Sequence, residues 1–164
     1  MRTHRHGLSR VITMLVVVAA ALGAAAPAQA SDASLRKAIR AQEKKVDVVA
    51  DDFVDVAGGV ESAVGRERAR TAVTKFKAAV ARLRTTVAKE RATTARVKRG
   101  RTQYLAAISS LRAGLTTFDQ GLEAFDPDAP AKAAQLFKRS AAQLKSAVAK
   151  RDKAAKLIGG LPAG

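Results

Sequence analysis

Apolar residues recur along this chain at the spacing of amphipathic helices. Ile39, Val46, Phe53 and Val60 are seven apart, and Leu35, Gln42, Val49 and Val56 fall at the offset that sets them beside the first row. Residues at these spacings share one helix face, so the pattern predicts a helix ending near residue 58. Ser31, Asp32 and Ser34 are candidate N-cap residues, because their oxygens can accept the unpaired N–H groups of a first turn. Gly58 and Gly59 then disfavour helix, and the register shifts between Gly58 and Gly65, which places the first turn there.

The stripe resumes with Val73, Val80 and Val87 in one row and Phe76 and Leu83 in the other. A second helix is therefore predicted from Glu61 or Arg66 into the nineties. The third stripe is the cleanest: Tyr104, Leu111, Phe118 and Phe125 alternate with Ile108, Leu115 and Leu122 on one face. Asp126-Pro127-Asp128-Ala129-Pro130 ends it, since each proline disfavours helical geometry at the residue before it. Asp128 is expected to cap the fourth helix, with Pro130 in its first turn. That helix is expected to bury Phe137, Ala141, Leu144, Val148, Ala155 and Ile158, and to stop at Gly159-Gly160, leaving residues 161–164 as a frayed tail.

One junction allows two readings. Val73, Val80, Val87, Thr94, Arg101 and Ile108 keep the seven-residue register, so the second and third stripes could form one long helix. Against this, core-facing positions become Glu90, Thr94 and Arg101, with Gly100 beside them, and the apolar seam lapses. The expected fold class is all-α, an up-down-up-down four-helix bundle with a turn between about residues 93 and 102. The alternative is three helices with one long central helix.

Residues 1–30 carry a different pattern. Arg2, His4, Arg5, His6 and Arg10 form a basic head, residues 11–25 an apolar run, and Ala28-Gln29-Ala30 a small-residue cleavage signal. This arrangement is that of a Sec-type signal peptide removed before Ser31, leaving 31–164 as a single bundle domain. The apolar run is shorter than the ~20 residues of a spanning helix, so no membrane span is expected in the mature protein. The predicted location is secreted or extracytoplasmic, associated with the cell envelope. No cysteine follows the run, so neither a lipid-modified cysteine nor a disulfide is available, and helix packing alone must hold the fold.

Both histidines and both methionines lie within the first thirty residues, and the chain has no cysteine or tryptophan. The mature domain thus lacks imidazole, thiol, thioether and indole groups, which removes most catalytic and soft-metal chemistry. Tyr104 is read as a core ring with its hydroxyl at the bundle rim rather than as a haem ligand. No nucleophile elbow or phosphate-cradling glycine loop is present. The expectation is a non-enzymatic protein with no cofactor and no metal.

Charge carries the remaining information. Without Arg2, Arg5 and Arg10, 27 basic residues face 14 acidic ones, a net charge of +13. In an antiparallel bundle, three stretches should meet at one end. They contribute Arg36, Lys37, Arg40, Lys44 and Lys45; then Arg96, Lys98, Arg99 and Arg101; then Lys150, Arg151, Lys153 and Lys156, which are the candidate anion-binding residues. With Lys89, Arg91 and Lys145 these make sixteen basic residues against Asp32, Glu43, Glu90 and Asp152, while the rest is nearly neutral. Crowded like charges oppose folding unless an anion relieves them, so the expected partner is an anionic envelope polymer or lipid headgroups.

The alternative is a helical interaction module for another exported protein. Nucleic acid is disfavoured by the export address and by the lack of aromatics free to stack on bases. At the opposite end Asp47, Asp51, Asp52 and Asp55 should approach Asp119, Glu123, Asp126 and Asp128. They are expected to pair with Arg66, Arg68, Arg70, Lys132, Lys138 and Arg139 rather than hold a divalent ion, since no calcium-loop spacing is present.

Overall fold

The computed structural model describes residues 6–161, with side chains from Ser31 onward. Four helices follow one another: α1 (His6–Ala57), α2 (Ala63–Lys89), α3 (Ala95–Glu123) and α4 (Ala131–Ile158). Among the described residues there is no strand, and no helix is long and apolar enough to cross a membrane. The chain is an all-helical bundle in which α3 packs most extensively on α4, α1 on α2, and α2 on α3. The export-signal expectation for residues 1–30 and the tail beyond Leu161 lie outside the residues described with side chains.

The turns follow local chemistry. Ser62 caps α2 by accepting the Gly65 N–H at 2.9 Å. Thr94 caps α3 by accepting the Val97 N–H, so the chain breaks at residues 90–94 and the long central helix does not form. At the third turn Asp126, not Asp128, supplies the side-chain acceptor, taking the Asp128 N–H at 2.9 Å. Pro130 stands at the N-cap of α4 with no side-chain bond. Gly159 and Gly160 close α4 at φ of 74° and 66°, a left-handed region that glycine enters without Cβ strain.

The core holds most of the expected residues, including Leu35, Ile39, Val46, Phe53, Val73, Val80, Leu83, Ile108, Leu115 and Leu122. Phe118 sits at its aromatic centre, 4.9 Å from the Phe53 ring and 5.0 Å from that of Phe137. The fourth seam differs from expectation by one residue in one row. Ser140, Ala147 and Ala154 are buried, whereas Ala141 and Val148 are exposed.

The reason lies on α3. Gly100, Ala107, Gly114 and Gly121 repeat every seven residues, and all four are buried. A Cβ on Gly100, Gly114 or Gly121 would lie within 3 Å of Ile158, Leu144 or Phe137 respectively. These three belong to the heptad row 137, 144, 151, 158 of α4, so bulky knobs enter a row of small residues and the backbones come close. Ser140 Oγ donates to the Gly114 carbonyl at 2.8 Å across this contact. Gly100 is therefore a packing position inside α3 rather than part of a turn.

Candidate functional site

The three stretches expected to meet are joined by hydrogen bonds. Arg36 Nε on α1 donates to the Ile158 carbonyl at 3.0 Å, and Arg40 Nε donates to that of Gly160 at 3.0 Å. From α3, Arg96 Nη2 donates to the Lys156 carbonyl at 2.8 Å. All three guanidinium groups thus reach the open carbonyls where α4 ends. There the helix dipole concentrates partial negative charge, and a cation is favoured. Arg101 does the same for α2, donating to the carbonyls of Val87 at 2.9 Å and Ala88 at 2.6 Å.

A carboxylate serves the opposite polarity. Asp32 lies inside α1 rather than capping its start, and it is 3% exposed. Its oxygens accept from the Thr93 N–H at 2.8 Å, the Thr93 hydroxyl at 3.0 Å, the Thr94 hydroxyl at 2.7 Å and the Thr94 N–H at 3.4 Å. Burial alone would raise this carboxyl's pKa, but the Thr93 and Thr94 donors outweigh it and hold the group below its ordinary value. Ser31 Oγ donates to the Arg91 carbonyl at 3.0 Å, and Ser34 Oγ to Glu90 at 2.9 Å. The first residues after the expected cleavage point are thus bound to the loop between α2 and α3.

Deeper in, the bundle contains a charged triad. Glu43 is 7% exposed, and its Oε1 accepts from the Tyr104 hydroxyl at 2.6 Å and from Arg151 Nε and Nη2, each at 2.8 Å. Arg151 also donates to Asp152 at 3.2 Å. Tyr104 is 1% exposed, so its hydroxyl is in the core and not at the rim. Burial, then the charge and hydrogen bond of Glu43, push the phenol well above its ordinary range. For Arg151 desolvation opposes the charge, but Glu43 and Asp152 more than compensate and raise its pKa further.

The candidate anion-binding residues therefore divide. Arg36, Arg40, Arg96 and Arg101 are held on carbonyls, and Arg151 is held by Glu43 and Asp152. Arg40 and Arg96 stay exposed despite these bonds, and Lys37, Lys44, Lys98, Arg99, Lys153 and Lys156 are exposed as well. Lys45 lines a separate groove between α1 and α2 beside Arg82, and Lys150 lines one between α3 and α4 beside Arg139, where it donates to Ser110 at 2.8 Å. Both belong to patches that include arginines assigned by sequence to the near-neutral remainder.

Two open clefts lie among the remaining cations. One, of ≈ 650 Å³, is lined by Ala33, Arg36, Lys37, Arg40, Ala41 and Lys44 along α1. The other, of ≈ 550 Å³, includes Ala33, Arg36, Thr94, Arg96 and Gly159, where α1, α3 and the end of α4 meet.

At the far end the ion pairs differ from those expected. Asp119 pairs with Lys77 of α2, and Glu67 pairs with Arg70. Arg66 instead lies 4.5 Å from the centre of the Phe125 ring and donates to the Val60 and Glu61 carbonyls. Among the described residues no group of three or more acidic, histidine or cysteine side chains is arranged to hold a metal ion. Comparison with family models, curated proteins and solved structures gave no match.

Proposed function

We propose that this chain, freed of residues 1–30 on export, is a non-enzymatic, secreted or envelope-associated protein. Its exposed cations adsorb to an anionic polymer or lipid surface, and its helices run up-down-up-down. The observation that carries the reading is the joining of Arg36, Arg40 and Arg96 to the end of α4. These bonds draw lysines from three distant stretches toward one region. The net charge of +16 for the whole chain, +13 without the first thirty residues, supplies the attraction.

Because the arginines there already satisfy carbonyls and dipole ends, self-repulsion is a weaker argument for a bound anion than the charge sum suggests. Accessible lysines are the stronger one. The alternative, a helical module for another exported protein, draws less support. Among the described residues the exposed large apolar side chains are the valines at 48, 54, 64 and 148, and single exposed apolar residues are ordinary.

The test is fractionation of the native cell into medium, wall and membrane, followed by a graded salt wash. Adsorption through screened Coulomb attraction requires release to rise steeply with ionic strength. Retention that ignores salt would sink the proposal.

A further inference from the structure

The two open clefts at the cationic end adjoin, since Ala33 and Arg36 line both, and together they mark out one cationic path over the surface. It starts at Lys44, follows the α1 face past Arg40 and Lys37 to Arg36, and turns across the end of the bundle to Arg96 beside Gly159. Along α1 the cations at 36/37, 40 and 44 are three or four residues apart, an axial separation of roughly 5–6 Å per step. Ala33 and Ala41 share this α1 face with the cations, and their small side chains leave the charged groups accessible.

We propose that this path is a track for one chain of a linear polyanion, a polymer bearing regularly repeated phosphate or similar acidic groups. The inference rests on the adsorption reading above and narrows its ligand. Three features favour a polymer over a discrete anion or a bilayer. The path is elongated and open, and it carries a row of charges rather than a convergent pocket.

Arg36, Arg40 and Arg96 each direct at least one N–H at a protein carbonyl, which fixes the guanidinium in direction and leaves fewer donors to converge on a single carboxylate or phosphate. Lys37 and Lys44 remain as flexible point charges, which tolerate a repeating ligand sliding in register. Finally, the exposed valines at 48, 54, 64 and 148 line neither cleft, so a bilayer would find no apolar foothold there.

The test is calorimetric titration of the exported protein over a salt series with three probes. These are linear inorganic polyphosphate, orthophosphate, and vesicles of phosphatidylglycerol mixed with phosphatidylcholine. Polyphosphate should bind far more tightly than orthophosphate at equal phosphate concentration, and more tightly than the vesicles. The double variant K37E/K44E should weaken polyphosphate binding at least about twenty-five-fold, from two contacts of about fivefold each. It should also lower the salt slope by about two.

K132E/K138E makes the same change in net charge at exposed positions of α4 outside the path, and should shift affinity by no more than about twofold. If K37E/K44E lowers helicity by circular dichroism, K37Q/K44Q replaces it. Equal loss in the two double variants overturns the track, as does orthophosphate competing phosphate for phosphate, or vesicles binding more tightly than polyphosphate.

The envelope assay separates the two proposals. Salt release of the wild type with K37E/K44E retained equally well removes the track and leaves adsorption standing. Salt-resistant retention of the wild type removes adsorption itself.

Discussion

Arg151→Met isolates the energetic role of the buried triad. Glu43 and Arg151 have side-chain exposures of 9% and 20%, and Oε1 of Glu43 takes both guanidinium contacts and the tyrosine hydroxyl. Its other oxygen, Oε2, is buried with no hydrogen-bond partner, so no alternative donor is already engaged there to compensate. Removing one member of such a pair leaves a carboxylate in the core without its counter-charge, a loss of about 3–5 kcal/mol for fully buried pairs. The residual exposure of Arg151 places the expected cost near the lower figure.

The triple replacement Glu43→Leu, Tyr104→Phe and Arg151→Met removes charge and partner together. It should fall within about 1.5 kcal/mol of the wild type, because apolar groups of similar volume avoid the desolvation penalty. Urea titrations followed by far-ultraviolet circular dichroism measure both, with equal denaturant slopes as the check that only stability has changed.

The same triad predicts alkaline behaviour. The raised pKa of Tyr104 adds stability that is full below pH 10 and is lost as pH climbs beyond it. Tyr104 is the only tyrosine, so its ultraviolet tyrosinate band should appear together with loss of helicity. An Arg151→Met cost under about 1 kcal/mol would refute the buried-charge reasoning. So would a triple variant as unstable as the single one, or tyrosinate forming in the folded bundle.

Gly100→Ala should destabilise by about 1–3 kcal/mol despite the better helix propensity of alanine. Its Cβ would stand 2.8 Å from Ile158 Cγ1 and 3.0 Å from the Ile158 backbone nitrogen. Gly58→Ala, which meets nothing within 4 Å, is the control and should be neutral or gain up to about 1 kcal/mol in the same titration. Asp32→Ala should cost about 0.5–2 kcal/mol at neutral pH, the range for losing a helix cap. It should also flatten the acid limb of a stability profile. The lowered pKa of Asp32 gives stability that is complete above pH 3.8 and is lost as pH falls through the folded-state value. An unchanged acid limb in the variant would remove that role.

The heptad rows made the four helices legible, because bulky residues such as Phe53, Val80, Leu115 and Phe137 mark the core face without ambiguity. The proline pair and the double glycines likewise marked turns. What stayed hidden depended on pairing between helices. Glu43 follows Ile39 by four residues and precedes Val46 by three, so it lies on the same face, yet the charge pattern marked it only as one of four acids among sixteen cations. Only the approach of Tyr104 and Arg151 from two other helices makes its burial tolerable.

The α4 seam slipped by one residue for a related reason. Ser140, Ala147 and Ala154 look like surface residues until the small row on α3 is seen to bring the backbones together. Gly100, Gly114 and Gly121, spaced by seven or fourteen, were the available sign. At the candidate site the charge pattern indicated which cations to consider, but not that five of its arginines bond to carbonyls or carboxylates of the fold, two of them, Arg40 and Arg96, while still exposed.

The ends of the helices at the cationic region are completed from elsewhere in the chain. The start of α3 is met by Asp32 of α1, the end of α2 by Arg101 of α3, and the end of α4 by Arg36 and Arg40 of α1 with Arg96 of α3. Each of these termini relies on another helix for part of its hydrogen bonding, so local fraying and global unfolding are coupled. Loss of α1 would open α3 at its first turn and α4 at its last, and the bundle should melt in one cooperative step rather than helix by helix.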